Sequence, residues 1–102
     1  MGALHLVNRS PGESPALSQC LQRVAKGDAV LLLESGVYAG LKESAFAARL
    51  AASVSQVRIH ALEPDMATRG IAGEEMMDGI VLVDYAGFVG LSVLHNPIIT
   101  WN

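Results

Sequence analysis

Few side chains in this 102-residue chain are suited to covalent or acid–base chemistry. There is one cysteine, Cys20, and there are three histidines, His5, His60 and His95. A thiolate is the most reactive nucleophile available to a protein at neutral pH, so Cys20 is the candidate catalytic residue. Its chemistry would be to hold sulfane sulfur as a persulfide: its thiolate attacks a donor's sulfane sulfur, and an acceptor thiolate then attacks the persulfide. Arg23, three residues on, favours the thiolate form. Packing is the competing use, since a free cysteine behaves as a small hydrophobe and is among the most buried residue types. Leu17, Leu21 and Val24 make an apolar stripe at helical spacing. Cys20 falls about 60° from its centre, which predicts a place on the border of the stripe beside Ala16 and Arg23. It also lies beyond the first helical turn, where the helix dipole fades.

Other chemistries lack their residues. The first strand-to-helix turn reads Asn8-Arg9-Ser10-Pro11-Gly12, without the glycine spacing of a dinucleotide site, and Gly36 to Gly40 lacks the Lys-Ser/Thr end of a phosphate loop. No nucleotide or other cofactor is expected. The histidines are far apart in sequence with no paired spacing, which argues against a metal site. His5 and His60, among apolar strand neighbours, read as hydrogen-bonded core histidines, and His95 as a helix C-terminal contact. No G-x-S-x-G turn is present for a serine hydrolase, and one cysteine cannot run dithiol chemistry.

These residues must be positioned by alternating strands and helices. Ala3 to Val7 reads as a strand that runs into turn formers. A helix over 15–26 follows, with Ser14 as cap, Pro15 in the first turn and Gly27 as the stop. The unbroken apolar run within Asp28 to Leu33 predicts a strand buried on both faces, and Glu34-Ser35-Gly36 a turn. A helix over 44–53, a strand over 56–62, a short helix from Glu63 to Gly70 and a further interior strand over 79–83 come next. Asp84 caps a last helix over 85–95, ended by Asn96-Pro97, and Ile98 to Trp101 is an edge strand or a docked tail. In that helix Gly87 and Gly90 allow close approach, either to the sheet or to another subunit. The pattern predicts an α/β fold, one domain over 1–102, with a mainly parallel sheet between flanking helices and right-handed crossovers. Chemistry in such sheets collects at the carboxyl ends of the strands, here Asn8 to Pro11, Glu34 to Gly40, Glu63 to Asp65 and Asp84.

Composition bears on partners. Hydrophobic residues make up 51% of the chain and charged residues 17%, against about 25% charged in an average soluble domain. This apolar excess predicts an obligate interface; the simpler alternative is an alanine-rich interior around Ala45, Ala47, Ala48, Ala51 and Ala52. A net charge of −3 with no basic cluster argues against direct nucleic-acid binding. No apolar run is long enough to span a membrane, the first residues do not read as a signal peptide, and the lone cysteine suits a reducing compartment. A cytoplasmic protein is expected.

The strings Leu4-His5 through Asn8-Arg9-Ser10-Pro11, Gly27-Asp28 with Leu31-Leu32-Leu33, and Ser35-Gly36-Val37 have a family look. Ala61-Leu62-Glu63 with Asp65, Arg69-Gly70, Ile80 to Tyr85 with Phe88-Val89, and Trp101 complete the set. In order and spacing they resemble the DsrH/TusB family of sulfur-relay subunits over nearly the whole chain. The resemblance implies a DsrE-like fold and a dimer of heterotrimers, a heterohexamer, formed with DsrE/TusD-like and DsrF/TusC-like subunits. Sulfur would pass to a DsrC/TusE-like acceptor, and the principal persulfide cysteine would belong to the DsrE/TusD subunit. A chain of this kind is mainly architectural, not an enzyme alone, with Cys20 as an auxiliary carrier. TusB types feed sulfur toward 2-thiouridine in tRNA, DsrH types the oxidation of stored sulfur; a cysteine at position 20 points to the DsrH branch.

Overall fold

The computed structural model describes residues 2–102. Among them a five-stranded, wholly parallel sheet forms in the order β4-β3-β2-β1-β5. Its strands are β1 (Leu4–Val7), β2 (Ala29–Leu32), β3 (Arg58–Leu62), β4 (Ile80–Val83) and β5 (Ile98–Trp101). The α-helices are α1 (Ala16–Arg23), α2 (Ala47–Ser53), α3 (Glu63–Thr68) and α4 (Tyr85–Leu94), with 3-10 turns at Glu34–Gly40 and Gly73–Glu75. The expected α/β architecture is the one observed.

Handedness explains the layering. The chain steps from β1 to β2, β3 and β4 in one direction, so right-handed crossovers put those connections on one face. The step from β4 to β5 runs back across the whole sheet and must pass over the other face. The core divides accordingly. On one face Val7, Val30, Leu32, Ile59 and Ala61 pack with Leu17 and Cys20 of α1, Leu50 of α2 and Met66 of α3. On the other, Leu4, Ala29, Leu31 and Leu62 meet only Phe88 and Leu91 of α4 together with Leu6, Leu33 and Val83. The first face carries a deep core, the second a thin one.

Several boundaries differ from the sequence reading. Helix α1 ends at Arg23 because Val24 turns extended and Asp28 draws the chain round: its Oδ2 accepts from the Ala25 N–H at 3.0 Å, and its own N–H bonds to the Ala25 carbonyl at 2.9 Å. Gly27, with φ of +93°, makes this turn into β2 and does not cap the helix. At the helix start the cap position is taken by Pro15 and not by Ser14, although Ser14 Oγ accepts from the Ala16 N–H at 3.0 Å. Strand β3 begins two residues later than expected, since the Val57 N–H is held by the Ser53 carbonyl in the turn after α2. Strand β4 is an edge strand and not an interior one, with Val81 exposed on it. The tail is a true edge strand, pairing Leu4 to Val7 with Ile98 to Trp101.

The alanine-rich segment is also not an interior. Ala45, Ala48, Ala51 and Ala52 are exposed, and Leu50 is the buried residue of α2. The apolar excess therefore has to be sought on the surface.

Candidate functional site

Cys20 faces inward. Ala16, Leu17 and Cys20 form the buried face of α1, and Leu21 and Val24 are the partly covered flank. The apolar stripe is thus rotated toward Cys20, because α1 lies over β1 and β5, and the expected border position is corrected. Burial, followed by the negative charge of Asp28, pushes the thiol up to about 12. Arg23 is exposed and takes no part in setting the thiol's charge state. In this arrangement Cys20 is a neutral side chain in the core.

The loops at the carboxyl ends of β1, β2 and β3 do converge. Ser35 Oγ donates to the Asn8 carbonyl at 3.3 Å and to the Glu13 carboxylate. The Glu34 N–H donates to the Asp65 carboxylate, and Arg69 donates to the Asp65 carbonyl at 3.1 Å. Hydrogen bonds from Ser35 and Ser10 hold the Glu13 carboxyl below its ordinary range. Glu34 has φ of +50°, an uncommon left-handed conformation for a side-chain-bearing residue. Asp84 stands apart: its Oδ1 accepts from the Gly87 N–H at 2.8 Å and caps α4, as the sequence predicts. These contacts bind loop to loop. The cluster contains neither a cysteine nor a histidine that could serve as nucleophile or base.

The histidines do not converge into a metal centre, and no group of three or more potential ligands occurs among the described residues. His5 is buried and central to a network that sequence reasoning did not find. Trp101 Nε1–H donates to His5 Nδ1 at 3.0 Å, so the ring proton sits on Nε2 and is donated to Asp28 Oδ2 at 2.8 Å. Asp28 also accepts from the Ala3 N–H at 3.0 Å. Burial opposes the Asp28 charge, but the bonds from His5, Ala3 and Ala25 outweigh it and hold the carboxyl below its ordinary value. The network joins β5, β1 and the start of β2. Its only sequence signal is a histidine and an indole lying in apolar strands at opposite ends of the chain.

The surface feature that stands out is α4. From Tyr85 to Leu94 it has no charged side chain. Its inner side rests on the thin second core, and its outer side leaves Tyr85 60%, Val89 61%, Val93 73% and Leu94 66% exposed. Val81 on β4 and Ile98 on β5 add exposed apolar surface on the same sheet face. A helix apolar all round is normally a buried helix, and contiguous apolar surface of this kind marks an interaction site. The two glycines differ. A Cβ on Gly87 would lie 2.9 Å from Val83 Cβ, so this residue serves close docking on the sheet; a Cβ on Gly90 would meet nothing within 4 Å. No helix among the described residues is long and apolar enough to cross a membrane.

Comparison with known proteins bears on the fold and the family. Among solved structures the fold is similar to the ychN protein of E. coli, with a TM-score of 0.81 at 17% identity, covering 99% of this chain and 100% of that one. It is similar also to MTH1491 of Methanobacterium thermoautotrophicum, described as a protein of unknown function, with a TM-score of 0.80 at 12% identity over 96% of each chain. In sequence it is 37% identical over 98 residues to Protein TusB of Pectobacterium parmentieri, and 33% identical over 98 residues to Protein TusB of Escherichia coli (strain K12). Both alignments cover 96% of this chain and 99% of the relative. A family model described as DsrH like protein matches residues 9–98, and the chain belongs to that family.

Proposed function

We propose that this chain is an architectural subunit of a cytoplasmic sulfur relay, assembled with DsrE/TusD-like and DsrF/TusC-like subunits and delivering sulfur to a DsrC/TusE-like acceptor. The observation that carries the reading is α4: ten residues without a charge whose outer side is left in water by the chain alone. Covering it removes apolar area from water, at about 25 cal/mol for each Å² buried, and permanent interfaces have this core-like composition. Family membership supplies the kind of partner. Cys20 contributes to the reading as a packing residue, since its neutral, enclosed thiol lacks the thiolate character that sulfur attack requires.

Co-expression is the test. With its two partner subunits the chain is expected to elute as one defined complex; alone, it is expected to associate non-specifically. A Val89→Asp variant puts a charge on the outer side of α4, away from the core. It should keep the circular dichroism of the wild type and fail to enter the complex. Full assembly of that variant removes the α4 reading.

The destination of the sulfur has two supported readings. The DsrH family match and the presence of Cys20 support oxidation of stored sulfur, whereas the TusB relatives support formation of 2-thiouridine in tRNA. A deletion strain separates them. Loss of thiolated uridine with sulfur oxidation intact assigns the second branch, and the converse assigns the first.

A further inference from the structure

On the α4 side of the sheet, where the strands begin, a cavity of about 580 Å³ opens between the end of α4 and the first residues of β2 and β3. It lies at the opposite end of the strands from the loops where α/β chemistry usually gathers, and its size is within the common range for small-ligand sites. Its polar wall holds two fixed cations, Lys26 and Arg58, with the imidazoles of His60 and His95, the Gln56 amide and the Asp28 carboxylate beside them. Two of the seven lysines and arginines and two of the three histidines thus face one hollow in a chain of net charge −3.

Asp28 also lines the hollow and keeps its negative charge, which offsets one of the two fixed cations, but its oxygens are committed to partners within the fold. It accepts from His5 Nε2 at 2.8 Å and from the N–H groups of Ala3 and Ala25 at 3.0 Å each. The two imidazoles are also oriented. His60 Nδ1 lies 3.2 Å from the Val30 carbonyl, and His95 Nδ1 lies 2.8 Å from the Leu91 carbonyl. A carbonyl can only accept, so each Nδ1 carries a proton. Each Nε2 is left without a protein partner among the described residues, and on protonation becomes an additional donor.

We propose that this cavity binds a small, multiply charged oxyanion of the sulfate or phosphate class, held by Lys26 and Arg58 with the imidazoles of His60 and His95 beside them. The electrostatics agree. Burial lowers the His60 pKa, and the positive charges of Arg58 and His95 lower it further, against an opposing hydrogen bond to the Val30 carbonyl. An anion in the cavity offsets those charges and favours the imidazolium, so binding takes up protons and tightens as pH falls. The titratable groups facing the site are Lys26, Asp28, Arg58, His60 and His95.

Sulfate is the suitable probe, because its own charge is constant between about pH 6 and 8. It is titrated into the full chain, in complex with its partners where solubility requires, at an ionic strength held constant with chloride, while the histidine ring resonances are followed by NMR. Saturable shifts of His60 and His95 are expected, with affinity at least about tenfold higher at pH 6 than at pH 8. In a Lys26→Gln, Arg58→Gln double variant the affinity should fall at least about tenfold while circular dichroism is unchanged, since both side chains are exposed. No saturable shift, or one that the double variant retains, overturns the proposal. Acetate binding as tightly as sulfate overturns the multiply charged class.

Discussion

Cys20 sits within one turn of Arg23, yet its neighbours in space, not in sequence, set its chemistry. With burial pushing its thiol up to about 12, Cys20 is held in the neutral form at pH 8. Alkylation of the native protein by iodoacetamide at that pH should be slower than that of the urea-unfolded chain by several orders of magnitude. Mass spectrometry after exposure to a sulfane-sulfur donor should show no added sulfur atom at Cys20 in the native chain, and a gain would restore it as a carrier. The sign of the pH dependence follows from the raised value. The buried neutral thiol stabilises the fold fully below the ordinary thiol value of 9.0, and that contribution is lost as pH climbs toward 12. Urea titrations at pH 8 and pH 10 should show the decline, and a Cys20→Ala variant should show less of it. Cys20→Ser should still assemble with partners but be less stable by about 1 to 3 kcal/mol, the usual cost of an added buried hydroxyl.

Elements far apart in the chain are tied by equally specific contacts. Strand β5 reaches the sheet last, and the indole of Trp101 fastens it to His5 and through His5 to Asp28. Trp101→Phe leaves His5 Nδ1 buried without its donor, so a loss of about 1 to 3 kcal/mol is expected in urea unfolding. The two glycines of α4 should part company. Gly87→Ala drives a methyl to 2.9 Å from Val83 Cβ and should destabilise by about 1 to 3 kcal/mol through overpacking. Gly90→Ala adds a methyl in open space and should stabilise the isolated chain by about 1 kcal/mol through helix propensity. If Gly90 allows a partner to approach closely, the same variant will assemble less tightly; thermal unfolding and complex yield, measured together, separate the two effects.

For the molecule as a whole, the asymmetry of the two sheet faces has the largest consequence. Three α-helices and a 3-10 turn seal one face, whereas α4 alone among the described residues covers the other. The second face is where the unsatisfied apolar surface lies. Val93→Glu, at the most exposed of these positions, should improve the solubility of the isolated chain and abolish its recovery with the partner subunits, as read by affinity pull-down and gel filtration. Unchanged recovery would place the interface elsewhere.

The sequence by itself determined the class of fold. The unbroken apolar run within Ala29 to Leu33 reads as a strand covered on both sides, and connections of helical length between such runs favour parallel crossovers. It determined the Asp84 cap of α4 as well, because a cap depends on neighbours in the chain. It also signalled an apolar excess too large for the core. Tertiary structure decided the rest, for a physical reason: which side of a helix is buried, which strand lies at the edge and which charges are neighbours all depend on contacts between distant segments. Arg23 is three residues from Cys20 and exposed to water, while burial in the core, followed by the charge of Asp28 across the turn, keeps the thiol protonated. Ala48, Ala51 and Ala52 of α2 proved to be on the surface, and β4 proved to be an edge, once the return crossover had carried β5 to the far side of β1.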